Sequence, residues 1–244
     1  MGEPAIAAEA HNSAPACHAI AVDGSAASGK STVGQRLAAD LGYPFLDTGI
    51  MYRAMTVVAL DRQLDISDEG ALGELVRSVE MRVELAVPST GKASKISVDG
   101  VDVTDRLRSQ AVEDAVSLVS QIQAIRKAMV ALQREIAGRQ PVVMAGRDIG
   151  TVVLPDANLK IYLEASLEER ARRRHQEFEA FGRDASRDAV HADLERRDRI
   201  DSERDVSPLR PANDAHVIDT DGLTMEEVLR EALSLVRGGT DDEE

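Results

Sequence analysis

The chain has 244 residues, 43 acidic side chains against 29 lysines and arginines, and a formal net charge of −14 at pH 7. That balance excludes non-specific adhesion to nucleic acid or anionic membrane, and 2 % aromatic residues with no Trp leave little to stack on bases. The one cysteine, Cys17, cannot form an internal disulfide, which fits a reducing compartment.

The opening residues, MGEPAIAAEA, lack a basic region and a long apolar core, so no secretory signal is expected. Ile6 stands where a myristoylation motif after Gly2 wants Ser or Thr. No apolar run approaches membrane-spanning length, and a cytoplasmic, monomeric protein is expected. Residues 1–16 read as an Ala-rich tail without pattern and 238–244 as an acidic one.

Ala19-Ile20-Ala21-Val22 reads as a short buried strand, and the run from Ser31 to Leu41 has apolar residues at helical spacing. Between them Gly24-Ser25-Ala26-Ala27-Ser28-Gly29-Lys30-Ser31 fits the phosphate-loop pattern G-x-x-x-x-G-K-[ST] at every fixed position. Such a loop turns successive N–H groups into one nest at a helix N-terminus, where anions are favoured. Gly24 through Thr32 are therefore the expected ATP-binding run. Lys30 reaches the β- and γ-phosphates and the Ser31 hydroxyl ligates Mg²⁺, helped by ATP oxygens rather than by a carboxylate cage.

Strand and helix signals then alternate. Tyr43-Pro44-Phe45-Leu46 reads as a second strand, Met51 to Leu60 as a helix, and Pro141 to Ala145, Leu159 to Leu163 and His216 to Ile218 as three more strands. Val228 to Val236 closes the chain as a helix. Five strands interleaved with helices predict an α/β fold, a doubly wound five-stranded parallel sheet. Residues 64–108 break the rhythm. Met81 to Leu85, Ile96 to Asp99 and Val101 to Val103 alternate around the turn clusters Pro88 to Lys92 and Asp99-Gly100, predicting an inserted antiparallel meander. It is either a structural elaboration or an arm that closes on a substrate. The core would then be 17–63 and 109–237.

Arginine is concentrated in two segments within 166–205 and just beyond. One holds Arg170, Arg172, Arg173 and Arg174; the other holds Arg196, Arg197, Arg199, Arg204 and Arg210. Any single one reads as a solvated helix charge. As a cluster behind a phosphate loop they suit a lid that neutralises the charge of a γ-phosphoryl in flight, with Gly182 as a flexible point. The absence of an Asn-Lys-x-Asp string and of an apolar strand ending in Asp-Glu sets aside nucleotide switches and ATPase motors. A small-molecule kinase remains.

Three further strings narrow this. Leu46 to Arg53 (LDTGIMYR), Gly146 to Val153 (GRDIGTVV) with Pro155-Asp156-Ala157, and Arg197 to Arg204 (RDRIDSER) with Pro208-Leu209 resemble the bacterial cytidylate kinase family, in order from about Ala19 to Val236. The resemblance implies ATP-dependent phosphorylation of CMP and dCMP with Mg²⁺, and a monophosphate-binding arm in the insert. It implies that Arg53 and Arg147 grip the acceptor's phosphate with Thr48 nearby, and that Ser117, Arg126 and Asp148 read the base. Arg197, Asp201 and Arg204 would hold sugar and phosphate, while the catalytic cations Lys30, Arg147, Arg170 and Arg173 face the phosphates. Asp201 would serve equally as a plain partner of Arg197 or Arg204. The chemistry agrees: Arg126 can only donate, so it suits N3 of cytosine and meets an N–H in uracil, while Ser117 or Asp148 can accept from the N4 amine. Ser25 and Ser28 stand where the family more often has Pro and a small residue. The rival readings are a kinase for another monophosphate, such as UMP or AMP, and a nucleotide-binding regulatory protein without turnover.

Overall fold

Strand β1, Ala19–Gly24, is buried from Ile20 onward, and its side chains divide between two cores. Ile20 and Val22 face one side and Ala21 the other, as the two-residue period of a strand requires. In this computed structural model, residues 19–180, 182, 185–204 and 206–238 are described. The expected tail at 1–16, Cys17 and the acidic residues after Gly238 lie outside them.

After β1 come α1, Lys30–Leu41, then β2, Phe45–Asp47, and α2, Gly49–Asp61. Gly42 ends α1 in the left-handed conformation (φ 68°), as its place after the last apolar residue predicts. The second strand starts later than expected because Pro44 has no N–H to give; only its carbonyl takes part, accepting from the Val143 N–H at 3.0 Å. Strands β6, Val142–Gly146, β7, Leu159–Glu164, and β8, His216–Asp219, complete a parallel sheet in the order β2-β6-β1-β7-β8. On one face α1 and α8, Met225–Gly238, cover Ile20, Val22, Val143 and Ala145. On the other, α2 with α4, Gln110–Val119, and α5, Gln123–Ala137, bury Ala21, Leu46, Val142 and Met144.

The stretch 64–108 holds the expected antiparallel meander. Its strands are β3, Met81–Glu84, β4, Lys95–Val98, and β5, Val101–Asp102. Asp99 and Gly100 both take positive φ (52° and 78°), the pair a two-residue hairpin turn demands. The stretch also holds a helix the sequence reading passed over, α3, Glu69–Ser78. Asp68 caps it by accepting from the Ala71 N–H at 2.9 Å, and it packs on α5. The arginine-rich segments form two helices packed on each other, α6, Leu167–Ala180, and α7, Arg187–Glu203.

Candidate active site

The turn after β1 curls into a nest because three residues take positive φ: Gly24 (153°), Ala27 (61°) and Gly29 (92°). A Cβ on Gly24 would stand 2.5 Å from the Leu163 carbonyl oxygen, so the loop's first position admits nothing larger. Lys30 folds back and donates to the Ser25 carbonyl at 2.8 Å. Burial, and then the nearby Arg147 charge, push its amine down to about 7. The Ser31 hydroxyl donates to Asp47 Oδ2 at 2.7 Å, and the other Asp47 oxygen accepts the Gly49 N–H at 3.0 Å. The end of β2 is thereby tied to the loop.

Beside β1, strand β6 ends in Gly146-Arg147-Asp148 and a π-turn, Ile149–Val153. Asp23, the residue before the loop, is buried and accepts from the Ile149 and Gly150 N–H groups at 2.8 and 2.7 Å. Desolvation outweighs those bonds and lifts its carboxyl to about 6. The turn so pinned fixes the peptide that carries Arg147 and the buried Asp148. Arg147 pairs with Asp201 at 2.5 Å and reaches the Gly24 carbonyl at 3.3 Å. Asp148 meets Arg126 of α5 at 2.5 Å and Arg204 at 3.8 Å, and Arg204 lies 3.6 Å from Asp201. Arg126 also lies over the Tyr52 ring, 5.6 Å from its centroid. Thr48 is buried and donates to the Ala145 carbonyl at 2.9 Å. Among the described residues, Arg126 Nε and Arg204 Nη2 are buried donors without a hydrogen-bond acceptor, Arg204 Nη2 reaching Asp148 only at 3.8 Å. Such orphans cost about 1–3 kcal/mol each unless a ligand relieves them.

From the other side α6 and α7 bring their arginines in. Arg170 is 5 % exposed and fully engaged: it forks onto Asp198 at 3.0 and 2.6 Å and donates to the Ala26 carbonyl of the loop at 3.3 Å. Arg173 donates to Thr220 at 3.0 and 2.6 Å. Arg197 donates to the Glu113 carbonyl at 3.0 Å.

These elements enclose a cleft of about 950 Å³. It is lined by Ala26, Ala27 and Gly29 to Thr32 of the loop, by Thr48, Arg53, Ser117, Arg126, Arg147 and Asp148, and by Arg173, Arg197, Asp201 and Arg204. Of the residues expected from the sequence, Gly24, Ser25, Ser28 and Arg170 do not line it. Asp198 and the Ala165 and Ala26 carbonyls take up the Arg170 guanidinium beside the loop.

The cytidylate kinase family model matches residues 20–238, which span the whole cleft. The chain belongs to the cytidylate kinase family. It is 50 % identical over 217 residues to a cytidylate kinase of Geobacillus kaustophilus, covering 89 % of this chain and 95 % of that one. A cytidylate kinase of Bacillus pumilus is 47 % identical over 209 residues, covering 86 % of this chain and 91 % of that one. At a similar distance stands a cytidylate kinase of Carboxydothermus hydrogenoformans, 43 % identical over 217 residues, with 89 % and 96 % covered.

Four residues of this kinase's site escaped the sequence reading. Asp23 had a signal, a carboxylate at the buried end of a strand, where only a bonded role can keep it. Asp47 stood inside a quoted string without a role. Glu113 had none, since it looks like an ordinary helix charge, and Arg174 was read only as one of the lid cluster, without a place of its own. The Ser31 hydroxyl and Asp47 carboxylate, 2.7 Å apart, are the hard oxygen donors that suit magnesium.

Proposed function

We propose that this kinase transfers the γ-phosphoryl group of ATP to CMP and dCMP, giving ADP and the cytidine diphosphates. The observation that carries the reading is one cleft with two kinds of wall. The phosphate loop with Lys30 forms one; Arg53, Arg147 and the Arg126–Asp148 pair form the other.

In this reading the loop N–H groups and Lys30 hold the β- and γ-phosphates, and Arg173 faces the same charge from α6. Arg170, which holds the Ala26 carbonyl of the loop, stands with Arg173 as the second lid arginine toward the ATP phosphates. Arg53, Arg147 and Thr48 receive the acceptor's phosphate, with Arg197, Asp201 and Arg204 along the sugar and phosphate. The orphan donor of Arg126 offers a hydrogen bond to N3 of cytosine, and Asp148 or Ser117 accepts from N4. An acceptor phosphate oxygen attacks the γ-phosphorus as the bond to the β–γ bridging oxygen breaks, and that oxygen leaves on ADP. The phosphate is already a nucleophile, so no general base is called for, and the rate comes from alignment and charge neutralisation. Ser31 and Asp47 would hold Mg²⁺, which would help to neutralise the charge of the transferring phosphoryl group. Closure of α6 and α7 as a lid over the arm at 64–108 would exclude water as a competing acceptor.

The test is a coupled ADP-release assay over a panel of monophosphates. CMP and dCMP are expected to exceed UMP and AMP in kcat/KM by at least about 100-fold. Comparable or faster turnover of UMP or AMP overturns the reading.

A further inference from the structure

Glu113 has no place in the scheme above, yet it sits in the cleft wall and is 6 % exposed. It lies on α4 four residues before Ser117, so both present to one face of the helix, a turn apart. Arginines from three other helices converge on its carboxylate. Arg53 of α2 forks onto it, Nη1 to Oε1 at 2.9 Å and Nη2 to Oε2 at 3.2 Å. Arg174 of α6 stands 3.6 Å from Oε1 and Arg197 of α7 stands 3.4 Å from Oε2.

That geometry poses a competition. The forked face of a guanidinium matches one carboxylate or one phosphate edge at a time. Arg53 has already given its fork to Glu113, and Arg197 has turned one Nη to the same residue. A phosphate arriving at these arginines must take the fork from the carboxylate, or sit beside a buried negative charge that repels it. The carboxylate also joins α6 and α7 to α2 and α4 with no nucleotide present.

We propose that Glu113 is a resident counter-anion, which holds the acceptor-phosphate arginines in the unliganded enzyme and is displaced when the monophosphate binds. Acceptor affinity is then set by an exchange of anions, and Glu113 keeps it weaker than the arginines alone would make it. The inference rests on the assignment of Arg53 and Arg197 to the acceptor.

Glu113→Gln keeps the shape and removes the charge. Calorimetry should show the Kd for CMP falling at least about fivefold, with the Kd for ATP unchanged. KM for CMP should fall with it while kcat stays level or drops, because the product's phosphates are held by the same freed arginines. A Kd for CMP that rises or does not move overturns the proposal. If E113Q does not fold, E113S carries the same expectation. Arg53→Ala and Arg197→Ala, measured alongside, separate the two levels. If neither weakens CMP binding, the assignment of those arginines fails. If both weaken it and E113Q does not tighten it, the counter-anion proposal fails alone.

Discussion

At the scale of single residues, the cleft is a set of charges that satisfy one another in chains. Arg126 shows how much depends on one of them. Its guanidinium is 3 % exposed, neutralises Asp148, and keeps Nε without an acceptor among the described residues. Arg126→Ala should lower the CMP-over-UMP ratio of kcat/KM by about 10-fold or more. It should also destabilise the fold by about 3 kcal/mol, since Asp148 loses its nearest cation and Arg204 is 3.8 Å away. An unchanged ratio in a folded variant speaks against its role in reading the base. Here the sequence was legible only through the family strings. Taken alone, Arg126 reads as a surface charge, because nothing local announces that α5 will bury it against a turn 22 residues on.

At the scale of elements, the site is built where β1 and β6 end side by side. Asp23 finishes one strand and pins the turn that follows the other. Gly146 permits that arrangement: a Cβ there would come within 2.7 Å of both Ile149 and Thr48 Oγ1. Gly146→Ala must therefore move the turn that carries Arg147 and Asp148 or the start of α2. We expect a loss of at least about 10-fold in kcat/KM for CMP and about 2 kcal/mol of stability, read by steady-state kinetics and thermal melts. Wild-type kinetics would mean the turn yields without consequence. The strands themselves were readable from their apolar runs and turn residues, and the loop from its glycines. Helix α3 was not, because Gly70 and Gly73 dilute its apolar pattern. Most of its strength comes from burying Leu72 and Leu75 against the rest of the fold.

At the scale of the molecule, two desolvated ionisable groups, buried Asp23 and part-buried Lys30, make stability depend on pH in opposite senses. The Asp23 carboxyl is raised to about 6, so what it contributes is complete below the unfolded value near 4 and is lost as pH rises through 6. The Lys30 amine is lowered to about 7 from 10.5. Between those values the unfolded chain holds a proton the folded one lacks, so stability rises with pH across that window. A Lys30→Met variant should accordingly be more stable than the wild type at pH 6, and the gap should close toward pH 10.5 in denaturant titrations. A gap that does not vary with pH means the amine is not desolvated as described. Composition and the alternation of strands and helices made the architecture readable at this scale, while the mutual neutralisation of distant charges was not, since it exists only after α2, α4, α6 and α7 have met.

The adjacency of Arg147 and Asp148 on one pinned turn constrains how this enzyme can diverge. Under the proposed roles, one residue handles phosphate and its covalent neighbour handles the base. A lineage moving toward a different acceptor base has to rewrite position 148, and every such change pulls on the peptide that orients Arg147. Shifts in base preference should therefore arrive late, through substitutions at Ser117 and Arg126 on their own helices, with position 148 the last to vary.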